Sequence, residues 1–228
     1  MCGRTWLAQA AATGRRRPAR SGLLGARTGF KNRVHAAPAG GSIRAMTPAA
    51  PLLLRPAVPG DAVVISALAT QVFLDTYATE GVRPAVAREA RASFDLPVIE
   101  ALLATPQRQL LLAEADGHLR GFVQLMPGPL PQGARADGAA ASPACEVERL
   151  YVQPRWQGRG VGRALMQQAG RQVLAAGWPW LWLTAWVGNT HARAWYARQG
   201  WQDVGATPYT FEGETFENRV LVKRLHPD

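Results

Sequence analysis

Cysteine, long apolar runs and early acidic residues are what this 228-residue chain lacks most. Its two cysteines, Cys2 and Cys145, are too few for a disulfide-stapled secreted scaffold. No stretch reaches the roughly 20 apolar residues of a membrane-spanning helix. The first 45 residues also lack the apolar core of a secretory signal. These absences predict a cytoplasmic protein with no membrane partner. Residues 1–45 hold no Asp or Glu but carry Arg4, Arg15, Arg16, Arg17, Arg20, Arg27, Lys31, Arg33 and Arg44. That leaves 17 of the 26 basic residues facing all 16 acidic ones, so the net charge of +10 belongs to the leader. A nucleic-acid-binding module needs a basic face or basic–aromatic interleaving in folded sequence. The nearly neutral remainder offers neither, which argues against a nucleic-acid partner. The leader, rich in Ala, Gly and Arg, has no sustained periodicity and is expected to be disordered. Folded sequence is expected from Met46, as one domain over 46–228. A transit peptide and a natural start at Met46 both stay open for the leader.

With 47% hydrophobic and 18% charged residues, a folded core is expected. LLLRPA (52–57) reads as a strand. Pro59, Gly60 and Asp61 then turn the chain into a helix, with Val64, Leu68 and Val72 at helical spacing. Helices follow from Pro84 and over 98–105. Strands at 108–116 and 119–126 flank Gly117-His118 as a hairpin, which leaves His118 in solvent. Residues 127–144 read as a loop. CEVERLYV (145–152) is a strand, and VGRALMQQAGRQVLAA (161–176) a helix with Val161, Leu165, Ala169 and Val173 on one face. WLWLTAW (180–186) reads as a central strand, 190–200 as a helix, and strands open at Trp201 and at 218–225. This order gives an α/β fold with one mixed, mostly antiparallel sheet and helices on both faces.

Between the strand at 145–152 and the helix at 161 lies QGRGVG (157–162), with three glycines in six residues. The first turn of a helix has unpaired N–H groups and partial positive charge, both of which favour a phosphate. Gly158 and Gly160 can take backbone angles other residues avoid and keep no Cβ between chain and anion. Arg155, Arg159 and Arg163 add charge. A Walker loop would need Lys-Ser/Thr after the glycines, and a dinucleotide fingerprint would need glycine at Arg163.

LYVQPRWQGRGVGRALM resembles the acyl-coenzyme A motif of the GNAT superfamily of N-acetyltransferases, Gln/Arg-x-x-Gly-x-Gly/Ala, here from Gln157 to Gly162. NTHARAWYARQGW (189–201) is similar to the family's later segment at Asn189, Ala192, Tyr196, Gly200 and Trp201. The resemblance covers roughly 51–226. It implies a GNAT-type sheet of about six to seven strands that splays between 145–152 and 180–186, with the pantetheine arm in the gap. It also implies that Gln157, Gly158, Arg159, Gly160, Val161, Gly162 and Arg163 hold the coenzyme A diphosphate. Leu150, Tyr151 and Val152 would present the strand edge to the thioester, and Asn189 would touch pantetheine or cap its helix. The co-substrate is acetyl-coenzyme A, and no metal is called for.

Acetyl transfer to an amine requires a neutral amine, a stabilised carbonyl oxygen and a thiolate that leaves, preferably with a proton. The resemblance makes Tyr196 the general acid. For the general base, Glu146 and Glu148 stand two apart and share a face in an undistorted strand; a bulge would change which one reaches the cleft. Family members that use a strand glutamate have it eleven residues before the motif Gln, which is Glu146 here. His191 is a weaker candidate, and Cys145 is not needed as a nucleophile. VFLDTYATEG (72–81) is similar to a stretch in bacterial members that acetylate polyamines, so Asp75, Tyr77 and Glu80 could face a cationic acceptor. A polyamine or other small amine, a protein or peptide amine, and a non-catalytic acetyl-coenzyme A sensor are the readings carried forward, as a monomer or homodimer.

Overall fold

The computed structural model describes residues 51–131, 143–211 and 214–227. The leader and the centre of the 127–144 loop lie outside the described residues. Seven strands form one sheet: β1 (Leu53–Pro56), β2 (Gln109–Ala115), β3 (His118–Pro127), β4 (Ala144–Val152), β5 (Trp180–Trp186), β6 (Gln202–Phe211) and β7 (Glu214–Arg224). Their order is β1-β2-β3-β4-β5-β7-β6. Every neighbouring pair is antiparallel except β4 and β5. The helices are α1 (Ala62–Tyr77), α2 (Pro84–Phe94), α3 (Leu96–Leu103), α4 (Val161–Ala175) and α5 (Thr190–Arg198). Among the described residues no helix is long and apolar enough to cross a membrane.

Strand alternation separates the two faces. Leu111, Ala113, Val123 and Leu125 join Val161, Leu165, Ala169, Val173 and Tyr196 in a core under α4 and α5. Leu110, Leu112, Phe122 and Tyr151 join Ile65, Leu68, Val72, Phe73 and Phe94 in a second core under α1–α3. The α4 stripe matches its sequence pattern residue for residue. In α1 the stripe is Ala62, Ile65, Leu68, Ala69, Val72 and Phe73, and Val64 is 46% exposed. Steps of four residues drift about 40° each around a helix, so Val64 falls off the edge.

The β2–β3 turn is Asp116-Gly117, both with positive φ (54° and 71°), and His118 already opens β3. That is the type I′ geometry whose twist suits a two-residue hairpin. Arg55 fastens the sheet edge to the entry of α1: its guanidinium bonds Asp61 and Glu114 at 2.7–2.8 Å.

Gly121 on β3 faces Val152 on β4, where a Cβ would stand 2.6 Å from the Tyr151 carbonyl oxygen. Only backbone movement could make that room. Gly121→Ala is therefore expected to destabilise the fold by about 1–3 kcal/mol, read as a lower urea midpoint at unchanged slope. An unchanged midpoint would show that β3 and β4 yield at this point.

Candidate functional site

β4 and β5 pair at Ala144–Trp180, Cys145–Leu181 and Glu146–Trp182 and then diverge. From Val147 onward the β5-facing edge of β4 is free of its neighbour. The Gln153 N–H donates to Arg120 O at 2.9 Å, toward β3. Backbone groups alternate direction along an antiparallel strand, so those of Val152 and Leu150 turn to the gap. The Val152 carbonyl accepts from Gln157 Nε2 at 3.1 Å, which ties the glycine loop to the strand end.

The loop closes on α4 through left-handed glycines, Gly158 at φ 73° and Gly160 at φ 85°. Gly160 is the N-cap of α4 and no side chain caps it. Ala164 is the first residue of α4 whose N–H reaches a helical acceptor, Gly160 O at 2.9 Å. The N–H groups of Val161, Gly162 and Arg163 precede it and have no acceptor within the helix. A Cβ on Gly158 or Gly160 would meet nothing within 4 Å, so the space above both is open. Arg155, Arg159 and Arg163 are exposed around it, and Arg159 stacks at 4.9 Å on Trp156. Free donors, open space and positive charge fit a diphosphate.

Tyr196 is fully buried beside Trp195 and Trp201, and its hydroxyl has no hydrogen-bond partner. Burial raises its pKa, so it keeps its proton. Asn189 caps α5, accepting the Ala192 N–H at 3.0 Å; of its two expected roles, the structure displays this one. Cys145 is buried, and burial pushes its thiol up to about 12, far from a nucleophile's range. His191 is exposed at the start of α5.

A bulge separates the two glutamates. Gln124 of β3 faces Arg149 and its neighbour Leu125 faces Val147, so Glu148 is an extra residue in β4. Glu148 bonds Arg108 (Nε at 3.1 Å, Nη2 at 3.3 Å) and accepts from Gln124 Nε2. Gln124 Oε1 in turn accepts from Arg149 at 2.6 Å. Glu146 is as buried, but its Oε1 has no partner among the described residues. Burial, then the charge of Glu148, raises its pKa to about 8, with Arg108 and Arg149 opposing.

At Trp186, the last residue of β5, lies a pocket of about 280 Å³. Phe73 and Tyr77 of α1, Trp186 of β5, Tyr209 of β6, and Phe216 and Asn218 of β7 form most of its wall. Arg83, at the N-cap of α2, stands at the same wall. Of the residues expected to face an acceptor, Tyr77 lines this pocket; Asp75 and Glu80 are exposed and lie outside its lining. Sequence reasoning missed Arg83, Trp186, Tyr209, Phe216 and Asn218. The signal for Asn218 was there, as an uncharged polar residue beginning the apolar run NRVLVKRL.

A sheet that opens between two parallel strands, above a glycine loop with free helical donors, defines an acyl-coenzyme A-binding transferase fold. The chain belongs to the acetyltransferase (GNAT) family, whose pattern matches residues 74–201. An uncharacterised N-acetyltransferase of Mycobacterium bovis is 30% identical over 151 residues, covering 62% of this chain and 86% of its own. A shorter match, 41% identical over 56 residues, relates 25% of this chain to 34% of an aminoglycoside N(6′)-acetyltransferase type 1 of Stenotrophomonas maltophilia. The PaiA N-acetyltransferase of Thermoplasma acidophilum, solved in complex with coenzyme A, aligns with a TM-score of 0.57 at 18% identity, covering 76% of this chain and 99% of that one. That likeness establishes the fold.

Two substitutions at Gly160 separate strain from crowding. Both place a side chain at φ 85°, which costs about 1–2 kcal/mol, in open space that leaves the fold intact. Gly160→Ala is expected to stay folded and bind coenzyme A with modestly lower affinity. Gly160→Glu adds bulk and negative charge where the anion would lie, and calorimetric titration should show no binding. Equal affinity in the two folded variants would remove the diphosphate from this loop.

Proposed function

We propose that the protein is an N-acetyltransferase that carries an acetyl group from acetyl-coenzyme A to the primary amine of a small molecule, by direct attack in a ternary complex. The observation that carries this reading is Glu146, a buried carboxyl with an unpartnered oxygen, at the residue where β4 and β5 part. A pKa of about 8 lets it exchange protons near neutral pH. Glu148 is already engaged by Arg108 and Gln124 and serves as the charge neighbour.

Acetyl-coenzyme A supplies the activated acyl group. Gln157 to Arg163 hold its diphosphate on the free donors of the loop and of α4. The N–H groups of the Leu150–Val152 edge donate to the acyl oxygen as charge develops there. Glu146 takes the proton from the ammonium form of the acceptor through water, because it does not itself line the acceptor pocket. The Tyr196 hydroxyl gives its proton to the departing thiolate and is reprotonated by the second proton that the attacking nitrogen sheds as the amide forms. No enzyme nucleophile is needed, in keeping with the inert Cys145. The polyamine expectation finds no carboxylate among the described residues of the pocket wall, so the proposal here is a small primary amine.

Glu146→Gln tests the base. With an acceptor whose amine titrates far from pH 8, kcat/KM of the parent should rise through an apparent pKa near 8. The variant should lose that limb and roughly 10²- to 10⁴-fold in kcat. Stability gives a second readout. The folded pKa lies above the ordinary 4.5, so the stabilisation of the protonated form is present below 4.5 and lost as pH rises to about 8. Glu146→Gln should flatten that decline. A variant that keeps the rising limb would exclude Glu146 as the base.

Tyr196→Phe tests the acid. Its hydroxyl is buried without a partner, so removal should leave the unfolding midpoint equal or higher. Single-turnover rates should fall while acetyl-coenzyme A affinity stays unchanged. Rates within about threefold of the parent at every pH would confine Tyr196 to packing, well short of the roughly 10²-fold that a general acid contributes.

A further inference from the structure

The acceptor pocket has a composition that selects among amines. Its wall is mainly aromatic, contributed by Phe73, Tyr77, Trp186, Tyr209 and Phe216. Among the described residues its lining holds no carboxylate, and Arg83 is its single charged residue. Arg83 is the N-cap of α2, and the N–H of Ala87 is the first in that helix to find a backbone acceptor, Arg83 O at 3.0 Å. The guanidinium and the start of an eleven-residue helix thus put positive charge on one wall. On β7, Asn218 is 2% exposed and its Oδ1 has no partner among the described residues. A buried acceptor without a donor destabilises the free protein, and a ligand N–H would relieve it. The volume of about 280 Å³ falls at the low end of the ~300–1,000 Å³ usual for ligand pockets.

We infer that the acceptor is a small amine with an aromatic or branched apolar body and a carboxylate, an amino acid and not a polycation. The apolar body fills the aromatic wall, the amine meets Asn218, and the carboxylate meets Arg83 and the first turn of α2. A polyamine or aminoglycoside would bring several positive charges to Arg83 with no carboxylate to receive them. This inference rests on the N-acetyltransferase reading for its chemistry, and on the pocket alone for its ligand class.

The test uses the full chain with acetyl-coenzyme A and five acceptors: L-phenylalanine, L-tryptophan, their decarboxylated counterparts phenethylamine and tryptamine, and spermidine. The amino acids should exceed the decarboxylated amines by at least about tenfold in kcat/KM, since one charge-assisted hydrogen bond contributes roughly that much, with spermidine the poorest. Arg83→Gln should erase the difference by lowering the amino acids alone. Calorimetry of L-phenylalanine against coenzyme A-saturated protein should show the same loss. Asn218→Leu should weaken binding of both amine types while leaving the unfolding midpoint equal or higher. Better turnover of spermidine or of the decarboxylated amines overturns the inference and leaves the N-acetyltransferase reading standing. Absence of L-phenylalanine binding also overturns the inference. Arg83-dependent binding of L-phenylalanine without turnover of any amine supports the ligand class and overturns the N-acetyltransferase reading.

Discussion

β4 and β5 lie side by side in parallel, pair over three residues and then separate, and the rest of the site follows from that parting. A parallel pair cannot be joined by a tight turn; the chain must cross over through a helix. Here the crossover is the glycine loop and α4, so the free N–H groups at the start of α4 necessarily stand at the end of β4, beside the gap. β5 then continues into α5, which packs in the same core as α4 and brings Tyr196 to that face. An unpaired strand edge inside a protein is costly unless something satisfies it. An amide-bearing arm running between the strands would satisfy it, which makes the parting of the strands and the binding of an acyl-coenzyme A two aspects of one arrangement.

The bulge at Glu148 lets β4 serve two faces with different chemistry. Cys145 and Val147 face α4 and α5, and strict alternation would send Leu150 and Val152 to the opposite side. The extra residue reverses the parity, so Leu150 and Val152 also join the α4 and α5 core. The same bulge places Glu148 beside Gln124 and Arg108, where its charge is answered. Glu146, two residues earlier, receives the desolvation without the partner. Two carboxyls on one short strand thereby acquire different environments, the usual way a protein assigns different tasks to like groups.

Motifs governed by local geometry were legible in the sequence. Left-handed Gly158 and Gly160, the stripe of α4 and the Asn189 cap each depend on a few neighbouring residues. The strands β2 and β3 and the hairpin between them were legible for the same reason, although the turn is Asp116-Gly117, one residue earlier than the expected Gly117-His118. Features that depend on distant segments were not. The choice between Glu146 and Glu148 depends on Arg108, 40 residues before Glu148, and on Gln124, 24 before it. The pocket wall draws on α1, α2, β5, β6 and β7, and no local pattern marks Trp186 or Asn218 as neighbours until β5 and β7 pair. The sequence pattern at 72–81 drew attention to Asp75 and Glu80, but Asp75 on α1 and Glu80 in the turn after it are exposed, and Tyr77 at the end of α1 lines the pocket. Helical spacing alone does not say which side of a terminal turn meets another element.

Among the described residues six buried side-chain polar atoms have no partner; three are Nε atoms of Arg120, Arg149 and Arg193, and the other three are Glu146 Oε1 on β4, Tyr196 Oη on α5 and Asn218 Oδ1 on β7. Each withholds about 1–3 kcal/mol from the folded state. A core built for stability alone would replace them with apolar groups of similar shape, as nearly every other position in these two cores does. In the proposed reaction the missing partners are bound molecules: a leaving group for Tyr196, a proton path for Glu146 and an amine for Asn218. Glu146, Tyr196 and Asn218, which weaken the free protein, are then groups that the proposed ternary complex would satisfy.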